Sequence, residues 1–160
     1  MSKFRVRPIK PEIAQAIRET MLDEAGHQLV ISIATENGYG PCRSCLKQFT
    51  AGEQRILFTY RPNPVDHPYD ESGPVIIHAE PCEPYQTTET FPPEVENGRI
   101  KFPLVFRTYD AQGRMIGGQP QNGEPASAVI ETLFQNDQVA VVQVRNGLVG
   151  CFVAQIDRAV

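Results

Sequence analysis

The segment from Tyr39 to Tyr85, YGPCRSCLKQFTAGEQRILFTYRPNPVDHPYDESGPVIIHAEPCEPY, holds three of the chain's four cysteines and two of its three histidines, and its reading decides the fold. Gln54 to Arg61 alternates, placing Ile56, Phe58 and Tyr60 on one face of a strand and Arg55, Leu57, Thr59 and Arg61 on the other. Val75 to Ala79 reads as a second strand. The stretch RPNPVDHPYDESGP between them has four prolines and two turn-forming aspartates, so it is a loop over the surface, of a length that often carries function. Pro41 suits the first helical position, where its missing N–H leaves no partner unpaired, and the spacing predicts a short helix from Pro41 to Phe49. Gly52 is its left-handed stop.

Working outward, Phe4 to Arg7 is a short strand. Glu12 to Glu24 keeps helical spacing through Ile13, Ala14, Ile17 and Met21, and Gly26 ends it. Leu29 to Ala34 is rich in β-branched residues and reads as a strand. On the other side, Ile100 to Tyr109 is a strand broken by Pro103, with Asp110 to Gly113 as its turn and Arg114 to Gly117 as a short edge strand. Pro125 to Phe134 is a helix with Val129, Ile130 and Leu133 on its apolar side. Val139 to Val144 and Val149 to Ile156 flank Asn146-Gly147, a strong hairpin signal. A two-residue turn there pairs Arg145 with Leu148 and Val142 with Cys151, which puts Cys151 on an apolar face as a core thiol. No repeat or change of composition divides the chain. The expected fold is a single α+β domain over residues 1–160, mainly antiparallel sheet, with two or three short helices and long proline-rich loops.

Composition narrows the function classes. With 41% hydrophobic and 21% charged residues the chain is an ordinary globule, and a net charge of −4 argues against nucleic acid and anionic membranes as partners. The N-terminus, MSKFRVRPIKPE, lacks the apolar run of a secretory signal, and no segment is long enough to span a bilayer, so the expected location is cytoplasmic. A reducing compartment turns the four cysteines into free thiols, metal ligands or redox groups rather than standing disulfides.

Three chemistries compete for the central segment. Cys42 at a helix start, beside Arg43, has the positive surroundings that lower a thiol's pKa, and is the candidate reactive thiolate. Cys42 and Cys45, joined by His78 and Cys82, have the residue types of a tetrahedral Cys3His zinc site, although His78 and Cys82 do not repeat the knuckle spacing. Cys-x-x-Cys together with Gly73-Pro74 raises a thioredoxin-like arrangement, but the chain lacks the helical crossover that such a fold needs before Pro74. Arg61, Arg107 and Arg145 each lie near a strand end, and if those ends converge they make a pocket for a small anion; the alternative is that each is paired with a carboxylate. His27 and His67 read as solvated. No glycine-rich phosphate loop, nucleophile elbow or His-Glu-x-x-His helix is present.

The motifs PCRSCL, AGE, PYDESGPVIIHAEPC, FRTYD and VRNGLVGCF, in this order, resemble the bacterial domain-of-unknown-function family number 1203 over Gly40 to Arg158. The resemblance implies a small bacterial α+β protein and no particular activity, cofactor or substrate. It draws attention to Cys42, Arg43, Pro74, His78, Arg107, Tyr109, Arg145 and Cys151 as matching positions. The leading expectation is therefore a site for a small anionic molecule, with Cys42 and His78 as catalytic groups and Arg43, Arg61, Arg107, Tyr109 and Arg145 as ligand-binding groups. The alternatives are a structural zinc module held by Cys42, Cys45, His78 and Cys82, and an interaction domain whose proline loops bind a protein partner.

Overall fold

The computed structural model describes residues 3–97 and 102–159. It is an α+β fold in which every strand pairing is antiparallel. The elements in order are β1 (Phe4–Arg7), α1 (Pro11–Thr20), β2 (Ile31–Ile33), β3 (Gln54–Tyr60), β4 (Gly73–His78), α2 (Pro93–Glu96), β5 (Leu104–Tyr109), β6 (Met115–Pro120), α3 (Ala126–Leu133), β7 (Val141–Asn146) and β8 (Phe152–Arg158). Five strands form one sheet in the order β1-β8-β7-β5-β6, and β2-β3-β4 form a second. The expected strand from Ile100 lies partly outside the described residues, since 98–101 are not among them. Among the described residues no helix is long and apolar enough to cross a membrane.

Strand alternation sets where the two cores lie. In β5, β7 and β8 the residues Phe106, Val142, Val144, Ala154 and Ile156 point to one side and bury against Val129 and Ile130 of α3. A second cluster joins Ala14 and Ile17 of α1 to Ile56, Phe58, Val75 and Ile77 of the small sheet, as the alternation of β3 predicts. Fully burying each Val, Ile or Phe side chain among them contributes about 1.5–3 kcal/mol. Cys42, Cys45 and Phe49 belong to this second cluster, while Leu46 between them reaches into the first, so the thiol segment lies where the two cores meet.

Several sequence expectations are corrected by local chemistry. The segment from Pro41 to Phe49 is not a helix. Its ends pair instead, with Tyr39 bridging Phe49 and the Cys42 N–H donating to the Lys47 carbonyl, while Leu46 takes a left-handed φ of 60° that no helix tolerates. Residues 39–49 thus form a knuckle that folds back on itself. Gly40, at φ 115°, allows the close approach of Phe49, whose ring would lie 3.0 Å from a β-carbon at that position. Helix α1 stops at Thr20 because Met21 adopts a left-handed conformation and donates its N–H to the Ile17 carbonyl. The expected Asn146-Gly147 turn is a wider loop. Asn146 Oδ1 accepts the N–H groups of Leu148 and Val149, and Gly150, at φ 81°, brings Cys151 opposite Asn146. Arg145 therefore pairs with Phe152 and Val142 with Ile156, so Cys151 sits half-buried at the loop end and not beside Val142 in the core.

After α1 the chain is held by Asp23, whose side chain is 1% exposed. Its carboxylate accepts the N–H groups of Ala25, His27 and Thr59 and meets the His27 ring at 3.0 Å. Burial by itself pushes this carboxyl's pKa up, but the bonds from Thr59 and His27 outweigh it and hold the group well below the ordinary carboxylate range. A depressed pKa contributes stability above the unfolded value near 3.9, and that stability is lost as pH falls below it. Asp23→Asn is expected to lower the melting temperature at pH 7, with the gap from wild type narrowing as pH falls below about 4. A gap that stays constant between pH 7 and acid conditions would show that the charge on Asp23 contributes nothing.

Candidate metal centre

The knuckle brings Cys42 and Cys45 to the end of β4, where His78 is the last strand residue, and the chain leaving β4 turns back with Cys82. The three sulfurs and one ring nitrogen of these residues all lie within 4.8 Å of one another. Cys42 Sγ and Cys82 Sγ are 3.8 Å apart, and Cys45 Sγ is 3.5 Å from His78 Nδ1. A tetrahedral zinc ion at about 2.3 Å from sulfur and 2.0–2.1 Å from nitrogen requires edges of about 3.8 Å between sulfurs and 3.5–3.6 Å between sulfur and nitrogen. Two of the six ligand separations match these edges and the others lie within 4.8 Å, so the donor set fits that ion once the side chains draw in around it.

The surroundings orient the ligands as a metal site needs. His78 Nε2 is 2.9 Å from Glu53 Oε2, which places the ring proton on that nitrogen and leaves the Nδ1 lone pair directed at the sulfurs. Thr50 fixes Glu53 in turn through its N–H and hydroxyl, and these bonds, with His78, hold the Glu53 carboxyl below its ordinary pKa. The Phe49 ring packs against the imidazole with centroids 4.5 Å apart. Two donors address the sulfurs: the His78 N–H to Cys42 Sγ and Arg18 Nη2 to Cys82 Sγ, each at 3.3 Å. Arg18 Nε also holds the His78 carbonyl, so α1 is docked onto the site.

Crowding three thiols together separates their titrations. Hydrogen bonds from Cys45 and then Cys82 push the Cys42 thiol far down, while the resulting Cys42 thiolate pushes Cys45 and Cys82 up. His78 is raised mainly by its bond to Cys42, against the opposing effect of burial. A dication at the centre of the cluster is what lets all three sulfurs ionise together.

A family match accompanies this geometry: the family described as Protein of unknown function (DUF1203) covers residues 39–158. The chain belongs to the DUF1203 family. No curated protein and no solved structure gives a significant match. The matched span includes all four clustered ligands of the DUF1203 chain and leaves out Arg18.

The structure divides the other expected site residues into separate places. Cys42 is fully buried, with its sulfur facing the other ligands. Arg43, next to it, points away: Nε donates to the Phe152 carbonyl and Nη1 to the Pro41 carbonyl. Arg61 is taken up by Asp70 through two bonds of 2.7 and 2.8 Å on the proline-rich loop. Arg107 and Arg145 converge on Glu71 rather than on Cys42 and His78. Tyr109 lies two residues beyond Arg107 on the same face of β5. The sequence reading missed Glu53, Arg18, Glu71 and Gln143. Glu53 alone had a signal, since it precedes a strand whose Arg55 pairs with His78, but that register exists only once β3 and β4 are paired.

Proposed function

We propose that the DUF1203 chain binds one zinc ion through Cys42, Cys45, His78 Nδ1 and Cys82, as a closed structural centre that fastens the smaller core. The observation that carries this reading is the agreement of the 3.8 Å and 3.5 Å ligand separations with the edges of a zinc tetrahedron. Four protein ligands leave no open position for water or substrate, which is the arrangement of structural rather than catalytic zinc. Three thiolates and a dication sum to −1, and Arg18 supplies the compensating charge beside Cys82. Four free cysteines fit a reducing compartment, which supports a cytoplasmic location.

Elemental analysis of protein purified without added metal tests the proposal. About one zinc per chain is expected, falling sharply in Cys45→Ser and in His78→Ala, with protons competing so that zinc is released on acidification. Glu53→Gln leaves all four ligands in place, and its zinc affinity is expected to fall by about tenfold or more, as for other outer-shell partners of a ligating histidine. Wild-type protein that is folded and metal-free, and that takes up no zinc when titrated with it, overturns the proposal.

A further inference from the structure

One face of β5, β7 and β8 packs on α3, and the opposite face of such an antiparallel sheet is ordinarily polar and wet. Here it is polar yet buried. The pairings of Arg107 with Gln143 and of Val105 with Arg145 gather Arg107, Tyr109, Gln143 and Arg145 on that face. Tyr109, Gln143 and Arg145 are only 3%, 1% and 4% exposed. A guanidinium removed from water needs several partners. Gln143 Oε1 accepts from Nε and Nη2 of Arg145 at 3.1 and 2.7 Å, and the Gly150 carbonyl accepts from Nη1. A further partner is the Glu71 carboxylate, which contacts Arg145 Nη1 and lies 3.2–3.3 Å from Arg107 Nη1.

Two features set this ion pair apart from a purely structural one. Two guanidiniums face one carboxylate, so the cluster keeps a positive charge, and that carboxylate comes from a residue whose side chain is 38% exposed at the end of the proline-rich loop. Beside it lies a cavity of about 140 Å³, bounded by Glu71, Arg145, Tyr60, Pro74, Gly150 and Cys151. A cavity of about 150 Å³ admits a molecule the size of benzene.

We propose that Arg107 and Arg145 form a binding site for a small carboxylate of about six non-hydrogen atoms, the size that a cavity of about 150 Å³ admits. Glu71 is its internal occupant, which the ligand's carboxylate displaces, and the ligand's organic end enters the cavity toward Cys151. Glu71 already demonstrates that a carboxylate fits both guanidiniums. Because it is tethered, it competes at a local concentration in the millimolar range, which sets the affinity a free ligand must exceed. None of the residues that bound this cavity is one of the four clustered metal-ligating residues.

The test uses the full chain and acetate, pyruvate and inorganic phosphate as probes, followed by calorimetry and by the rate at which iodoacetamide alkylates Cys151, read on its own peptide. Glu71→Gln removes the competing charge but keeps an acceptor, and it is expected to bind acetate or pyruvate at least tenfold more tightly than wild type. Saturating pyruvate is expected to slow Cys151 alkylation in step with occupancy, and Arg107→Gln in the Glu71→Gln background to abolish both effects. Wild-type protein gives the same alkylation readout should Glu71→Gln fail to fold. The proposal is overturned if neither protein binds a carboxylate at up to about 100 mM, far above the competing tether. It is equally overturned if only phosphate binds, or if binding leaves Cys151 alkylation unchanged.

Discussion

For the proposed zinc centre, removing the metal with a strong chelator is expected to lower the melting temperature by roughly 10–20 °C, taking a loss of about 5 kcal/mol or more and 2–4 °C per kcal/mol for a chain of this size. The physical reason is that the four ligands come from a knuckle, a strand end and the segment after it, and no disulfide cross-links them. Without a dication, two of the three sulfurs keep their protons and the four ligands lose their common partner. The damage is expected to be uneven. Cys42, Cys45, Phe49, Ile56 and Ile77 share the smaller core, whereas α3 packs on β5, β7 and β8 without touching a ligand. Hydrogen exchange after chelation should therefore accelerate in β3, β4 and α1 while the amides of β5, β7 and β8 stay protected. Cys45→Ser should reproduce the same pattern. Unchanged melting of a protein verified to have lost its zinc is the result that removes the structural role.

Arg43→Ala is expected to cost about 3 kcal/mol or more, from two lost charge-assisted hydrogen bonds and the cavity left behind. Arg43 is 5% exposed and ties four segments together. Its N–H donates to the Ile76 carbonyl of β4, its carbonyl accepts from Ile9 before α1, and its side chain bonds the Phe152 carbonyl of β8 and the Pro41 carbonyl of the knuckle. Burial lowers its pKa to about 10, with Cys151 and Cys42 opposing that shift, so it remains charged at neutral pH. Truncation leaves two carbonyls without their donors at the junction of the two sheets. Arg43→Lys keeps the charge but cannot span both carbonyls, and it should fall between Ala and wild type. Urea titrations with unchanged m-values would establish the ranking, and a loss below about 1 kcal/mol for Arg43→Ala would show that the guanidinium does not weld the sheets.

What the sequence determined by itself was the class of the fold and the chemistry on offer. Two-residue alternation in Gln54 to Arg61 named Ile56 and Phe58 as core, and the 3.6-residue spacing in Pro125 to Phe134 located α3, because periodicity is a local property of the chain. Residue type alone likewise put Cys42, Cys45, His78 and Cys82 forward as a ligand set. Tertiary structure decided everything that depends on meeting across the chain. Whether His78 and Cys82 reach the Cys42 pair is a matter of where β4 ends relative to the knuckle, and the knuckle itself was hidden because Pro41 suits a helix start while Leu46 in a left-handed conformation leaves no sequence signal. The position of Cys151 turned on hydrogen bonds of Asn146 that widen the hairpin loop and shift its register. Arginines at strand ends were legible, but their convergence on Glu71 was not, because the pairing of β5 with β7 and the path of the proline-rich loop set it.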